Sequence, residues 1–403
     1  MNKPKLWTKD FISISLSNFF LFLTFYILLV TLPIFSLQEF NSSASQAGLM
    51  TTVFLLSAII SRPLAGVWLE RAGNRKVLLT ALIIFAAASL LYLFPKTVPG
   101  YLVIRLLHGI GFGMATTAAG AIVADLIPAS RRGEGMGYFV MSSNMAMVLG
   151  PFVGLTAIQQ LGATTMFIIT IVVAFGALIT GLTVKLKKSM EPEKVMIQSS
   201  FSFKNFVEPS SVPIALVGSF LAIVYSALLS FVSVYATELH LEGVSSLFFV
   251  VYAIVLLMSR PFTGKWYDQY GANVIVYPSI ILFAIGMFSL SQSTGVVTFL
   301  VSAGLIGLGW GTLFPTFQTI AIQKAAPRKR GLATATFLSI YDMGIALGSF
   351  FVGLIAANMS YSSLYFLFSF YVLVGIVLYY FLHGRKKASQ DVKTQQSFNN
   401  IEV

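Results

Sequence analysis

Long apolar stretches broken by short polar clusters set the pattern of this chain. Twelve stretches carry almost no charge over a length that carries a helix across a bilayer, about 20 residues. They cover residues 11–36, 45–68, 77–95, 99–125, 134–158, 164–185, 212–238, 244–266, 274–293, 296–324, 332–357 and 361–383. Most have no continuous polar face, so they do not read as surface helices of a soluble core. The pattern predicts an all-α membrane protein with twelve transmembrane helices. The first stretch is too long, and its far end too unlike a cleavage site, for a removable signal peptide.

The polar cluster between the second and third stretches holds Glu70, Arg71, Gly73, Arg75 and Lys76, and it is expected to form a tight turn. It returns 198 residues later. Ser61, Arg62, Pro63, Gly66, Trp68 and Gly73 recur as Ser259, Arg260, Pro261, Gly264, Trp266 and Gly271, and the acid Glu70 recurs as Asp268. The same offset relates Gly109, Gly111 and Gly113 to Gly307, Gly309 and Gly311, Arg132-Gly133 to Arg330-Gly331, and Gly150 to Gly348. A repeat of this length sets the architecture. It predicts two six-helix pseudo-symmetric halves, residues 1–185 and 212–385. A polar cytoplasmic linker, 186–211, joins them, and the tail 386–403 reads as disordered.

Composition sharpens the picture. Hydrophobic residues make up 57% of the chain and charged ones only 10%, against about 25% charged in soluble domains. The net charge of +12 comes from Lys and Arg in the N-terminal tail, alternate loops, the linker and the C-terminal tail, while the intervening short loops hold only Lys96. That asymmetry places both termini in the cytoplasm of a multi-pass protein of the cell membrane. The charges are dispersed at helix ends, which argues against nucleic-acid binding. The absence of cysteine excludes disulfides and thiolate chemistry, and three distant histidines make no metal site. No Gly-x4-Gly-Lys loop supports ATP drive. No cofactor and no enzymatic activity are expected.

The stretch Gly66-Val-Trp-Leu-Glu-Arg-Ala-Gly-Asn-Arg-Lys resembles the motif Gly-x-Leu-x-Asp-Arg-x-Gly-Arg-Arg of the major facilitator superfamily of secondary transporters, with Trp68, Glu70 and Asn74 departing from it. Arg105-Leu-Leu-His-Gly-Ile-Gly is similar to that family's Arg-x-x-x-Gly-x-Gly motif in helix four, found in proton-coupled members. Gly137, Gly150, Pro151 and Gly154 match part of the glycine-rich motif in helix five that marks antiporters, with Ala146 and Leu155 in place of two of its glycines. The resemblance covers nearly the whole chain and points most closely to the twelve-helix bacterial drug:proton antiporters. It implies the major facilitator fold, alternating access, and a path lined by helices one, four, seven and ten. Candidates along that path are Asn18, Phe22, Tyr26, Phe112, Tyr225, Trp310, Phe314 and Gln318. An aromatic pocket with few polar groups suits lipophilic or amphipathic compounds.

Three further sets of residues follow. Gly66, Glu70, Arg71, Gly73, Arg75 and Asp268 are the candidate conformational latch. The acids are expected near the starts of helices eleven and five, where a helix dipole favours negative charge. Gly150, Pro151 and Gly154 are read either as a hinge in helix five or as close packing. Asp342 is the one acid near mid-bilayer, a costly placement that makes it the candidate proton carrier. Arg105 and His108, one turn apart, join it as candidate proton-coupling residues. Arg105 also reads as a snorkelling side chain, and His108 as a structural hydrogen-bonding group. Three functions remain: proton-driven export of small organic compounds, proton-coupled nutrient import, and a non-transporting receptor or scaffold. For a transporter the expected partners are the lipid bilayer, the substrate and protons, with the chain acting as a monomer.

Overall fold

The structure, a computed structural model, describes residues 4–40, 44–185, 206–241, 244–356 and 359–385. Most of the linker 186–211 and the tail 386–403 lie outside the described residues, so the readings made of them end with the sequence. Twelve long helices account for the described chain. They are α1 (Lys9–Phe40), α2 (Ala44–Ala72), α3 (Asn74–Leu91), α4 (Val98–Leu126), α5 (Arg132–Thr156), α6 (Ala163–Leu182), α7 (Val212–Glu238), α8 (Ser245–Tyr270), α9 (Ala272–Ser291), α10 (Val296–Lys324), α11 (Arg330–Ala356) and α12 (Tyr361–Tyr379). All twelve are long and apolar enough to cross a membrane. Every apolar stretch of the sequence therefore becomes one helix.

The polar cluster after α2 forms a turn even tighter than its composition predicts, and most of its residues are helical. α2 runs on through Glu70 and Arg71 to Ala72, and α3 starts at Asn74, so Gly73 alone is the connector. Gly73 has φ 87° and ψ 152°, and Gly271, joining α8 to α9, has φ 84° and ψ 176°. This region of backbone space is open essentially to glycine alone. The glycine recurs at the 198-residue offset because both halves make the same one-residue joint.

The chain forms two compact units. The first comprises Met1–Glu208 with Ile322–Ser339, and the second Pro209–Ala321 with Ile340–Val403. In the first, α4 is the central helix, with glycines on two faces. A Cβ on Gly111 would come within 2.8 Å of the Phe85 backbone nitrogen of α3, while Cβ atoms on Gly109 and Gly113 would collide with Phe54 and Ala58 of α2. In the second unit, Gly307, Gly309 and Gly311 of α10 meet Tyr252, Phe283 and Leu256. Each of these pairs is a first-unit pair moved along by 198, so the repeat extends to individual contacts. Apolar burial gives no drive for helix association in lipid. Small residues that let backbones approach, with the van der Waals contact this permits, supply it instead.

Candidate functional site

Aromatic side chains gather in each unit where the sequence places the path. In the first unit, Phe22 of α1 meets Phe112 of α4 edge-on at 5.1 Å between centroids, with Tyr26 one turn along at 6.3 Å from Phe22. Phe22 and Tyr26 are half-buried, whereas Phe112 is buried and stacked on Phe25. Asn18 is buried, and its Nδ2 donates to Ser142 Oγ at 2.9 Å, a bond that ties α1 to α5. In the second unit, Tyr225 of α7 stacks on Trp310 of α10 at 5.0 Å, and Trp310 stacks on Tyr341 of α11 at 6.1 Å. Phe314 closes on the same Tyr341 ring at 4.7 Å. Gln318 lies one turn beyond Phe314, buried, with its Oε1 lacking a hydrogen-bond partner. Ring pairs at these spacings prefer offset or edge geometries and leave flat faces against which an apolar ligand can lie. Tyr341 belongs to helix eleven, outside the four helices expected to line the path, and so does not stand out in the sequence.

Arg105 and His108 occupy a different place. Both are fully buried between α2, α3 and α4. Arg105 Nε donates to the Met50 carbonyl at 2.9 Å, and its guanidinium carbon lies 4.3 Å from the centre of the Phe54 ring, which is the geometry of a cation–π contact. Its two terminal nitrogens have no hydrogen-bond partner. His108 is held at both ring nitrogens, Nε2 by Ser89 Oγ at 3.2 Å and Nδ1 by Tyr92 Oη at 3.1 Å, and the ring lies 4.1 Å from Phe85. Arg105 is therefore not a snorkelling side chain, and the structural reading of His108 has the better geometry. Asp342 belongs to the second unit and stands half-buried in mid-α11. Glycines at 344 and 348 bring that helix against Ser219, Ile223 and Ser226 of α7.

Of the candidate latch residues, Gly66, Glu70, Arg71, Gly73 and Arg75 lie in the first unit, where α2 and the start of α11 form a tight joint. Gly66 lies against α11: a Cβ there would come within 3.0 Å of Ala335 Cβ and 3.2 Å of Leu332 Cα. Gly331 lies against Leu69 in the same way, at 2.9 Å. Glu70 stands half-buried among Lys329, Arg328 and Arg71, with Glu208 also near. The ion pair itself is made by a different acid. Asp125, at the end of α4, accepts from Arg330 Nη1 at 2.7 Å, and its other oxygen accepts from Asn74 Nδ2 at 3.2 Å. Asn74 is one of the three departures from the family pattern, and here it orients the acid that pairs with α11. Lys329 adds a looser pair to Glu208 at 3.7 Å, and the Glu208 amide donates to Thr336 Oγ1 at 2.9 Å. Arg75 points outward and makes no hydrogen bond or ion pair with the described residues; Asp268, in the second unit, is half-buried.

Helix five gives a clear local answer. A Cβ on Gly150 would collide with Tyr26, and one on Gly154 would reach Thr31 at 2.9 Å, so both glycines pack α5 against α1. Pro151 sits between them inside the helix. Among the described residues no group of three or more His, Cys, Asp or Glu is placed to hold a metal.

The profile of the Major Facilitator Superfamily matches residues 14–334 and 246–401. The chain belongs to that family. Its relatives include the staphylopine export protein of Staphylococcus aureus, 26% identical over 362 residues, covering 85% of this chain and 88% of that one. Multidrug resistance protein 2 of Bacillus subtilis is 25% identical over 383 residues, covering 91% and 93%. Among solved structures, the human organic anion transporter MFSD10 superposes with a TM-score of 0.77 at 16% identity, covering 93% of this chain and 100% of that one. The fold is thus the major facilitator fold, and the protein is a multi-pass membrane transporter rather than an enzyme.

Proposed function

We propose that this major facilitator protein exports small organic compounds from the cell in exchange for protons, by alternating access, acting as a single chain with both termini in the cytoplasm. The observation that carries the reading is the aromatic cluster of the second unit. Tyr225, Trp310, Phe314 and Tyr341 build one continuous wall, and Asp342 follows Tyr341 in the helix that supplies its ring. An apolar wall, with a carboxylate on the residue that follows Tyr341, suits a lipophilic ligand and a titratable group that leaves its charge behind when a proton arrives. Sugar-like substrates would need more hydrogen-bonding side chains. Two relatives named for export and for multidrug resistance support the outward direction. Phe22, Tyr26 and Phe112 supply a second aromatic surface, and Arg105 with His108 stiffens the helices that carry it. The contact of α2 with the start of α11, centred on Gly66 and the Asp125–Arg330 pair, serves as the latch.

The test is a substrate screen in inside-out vesicles with an imposed pH gradient. Wild-type protein should accumulate lipophilic compounds when the interior is acid, and Asp342→Asn should abolish the pH-driven component while retaining substrate binding. Accumulation by Asp342→Asn equal to wild type would remove Asp342 from the coupling step. Accumulation only under the opposite gradient would turn the reading to import.

A further inference from the structure

A second cation, unused in the scheme above, is buried in the unit that carries the aromatic wall. Arg260 lies in α8 and is 2% exposed. Its Nε and Nη2 have no hydrogen-bond partner, and among the described residues it makes no ion pair. Its electrostatic neighbour is Tyr252. A guanidinium taken out of water without acceptors or a counter-charge is among the costlier arrangements a protein can hold, and in a membrane-spanning helix it marks a functional position.

The internal repeat shows what is missing. Arg62, the equivalent residue 198 positions earlier, is also buried, but its Nη1 donates to Thr116 Oγ1 at 3.0 Å. The residue equivalent to Thr116 is Phe314. The second half has kept the arginine, lost the hydroxyl that accepts from Nη1 in the first, and carries an aromatic residue at that position of the repeat, while Nε lacks a partner in both halves. The surroundings changed in the same direction. Tyr252 lies 6.3 Å from Tyr225, Tyr225 is stacked on Trp310, and Trp310 reaches Tyr341 and through it Phe314. Arg260 is joined through Tyr252 to the wall already assigned to the substrate. One turn beyond Phe314, Gln318 adds a second buried polar atom that no protein group satisfies.

We infer that Arg260 binds the substrate, and that the compounds carried are organic carboxylates whose apolar bodies rest on the Tyr225–Trp310–Tyr341 stack. A guanidinium and a carboxylate match in shape as well as charge, two N–H groups facing two oxygens, and a ligand of this kind supplies the acceptors that Arg260 lacks. Gln318 Oε1 accepts from a hydroxyl or amide N–H on the same ligand. The inference rests on the transport reading above for its biological meaning, but the binding step stands by itself.

Full-length protein in lipid nanodiscs is titrated with 1-naphthoate, with the neutral 1-naphthamide, and with cationic 1-naphthylmethylammonium, following tryptophan fluorescence in a background where Trp7, Trp68 and Trp266 are replaced by Phe and Trp310 alone reports. Wild-type cavity residues should favour naphthoate over naphthamide by about ten- to hundredfold, the range of a hydrogen bond to a charged group. Arg260→Gln should collapse that ratio to near unity, and Arg260→Lys should keep part of it. Equal binding of the three probes by protein that retains Arg260, an outcome that does not depend on the Arg260 variants folding, would overturn the inference. So would an Arg260→Gln protein that keeps the preference. Vesicle transport separates the two readings. Naphthoate that binds through Arg260 without being carried would sink the transport reading and leave the anion site. Transport of naphthoate by Arg260→Gln at the wild-type rate would sink the anion site and leave the transporter.

Discussion

Asp125→Asn is the sharpest perturbation of the joint between α2, α4 and α11. The substitution keeps the size of the side chain and the acceptor facing Asn74, but removes the charge that faces Arg330. Arg330 already has one unpartnered nitrogen, Nε, so its bond to Asp125 at 2.7 Å is the contact that matters to it. The two side chains are 18% and 16% exposed, neither at the surface nor sealed. Breaking a fully buried pair costs about 3–5 kcal/mol and an exposed one less than about 1. This pair falls between, at about 2 kcal/mol, a shift of about thirtyfold in the equilibrium between joined and released α11. A cysteine at Leu332, which is buried against Gly66, reports release through its reaction with a water-soluble maleimide. Labelling limited by the released population should accelerate about thirtyfold on Asp125→Asn. Arg330→Gln should have a similar effect, and the double substitution should add little to either single one. Unchanged labelling, or strictly additive effects, would show that the pair does not hold the joint.

Four further outcomes are expected. Gly66→Ala should weaken the same joint by about 1–3 kcal/mol through overpacking against Ala335 and the Leu332 backbone, read as faster labelling at Leu332→Cys; no change would place the glycine outside the contact. His108→Phe should lower the thermal midpoint, costing about 1–3 kcal/mol, because Tyr92 loses its hydrogen-bond partner in a fully buried site, while the pH dependence of transport stays as in wild type; a shifted pH profile would return His108 to the proton path. Asp342→Asn should lose uphill, pH-driven transport but retain substrate binding and exchange, measured as counterflow in proteoliposomes. Single cysteines at the exposed Thr97 and Ala326 should label from outside and inside the cell respectively, and the reverse would invert the topology.

The fold was legible in the sequence because a bilayer makes long apolar runs carry nearly all the information, and each run is a helix. The one-residue joint at Gly73 was not, since Glu70, Arg71 and Arg75 read as loop chemistry while their backbone is helical. Of the candidate site, the aromatic residues could be named from the helices that the family resemblance implies, but the ring partners they meet could not. Tyr341 and Asp125 come from helix positions that a motif search passes over. Asp125 looks like an ordinary helix-end acid until Arg330, 205 residues away, is placed beside it. Asn74 shows the reverse case: a departure from the family pattern is, in three dimensions, a second hand on the same carboxylate. Long-range pairing is the information that spacing along the chain does not hold.

The glycine joint has a mechanical consequence. With one residue between them, α2 and α3 have no slack to absorb displacement, and a change in the direction of α2 must pass into α3 as torque about the few bonds flanking Gly73. Asn74, the first residue of α3, is bonded to Asp125, so the same rotation bears on the carboxylate that holds Arg330. The connector thus works as a crank rather than a tether: tilting α2 away from Ala335 and twisting Asp125 off its guanidinium are one movement, delivered through a pivot that only glycine can form.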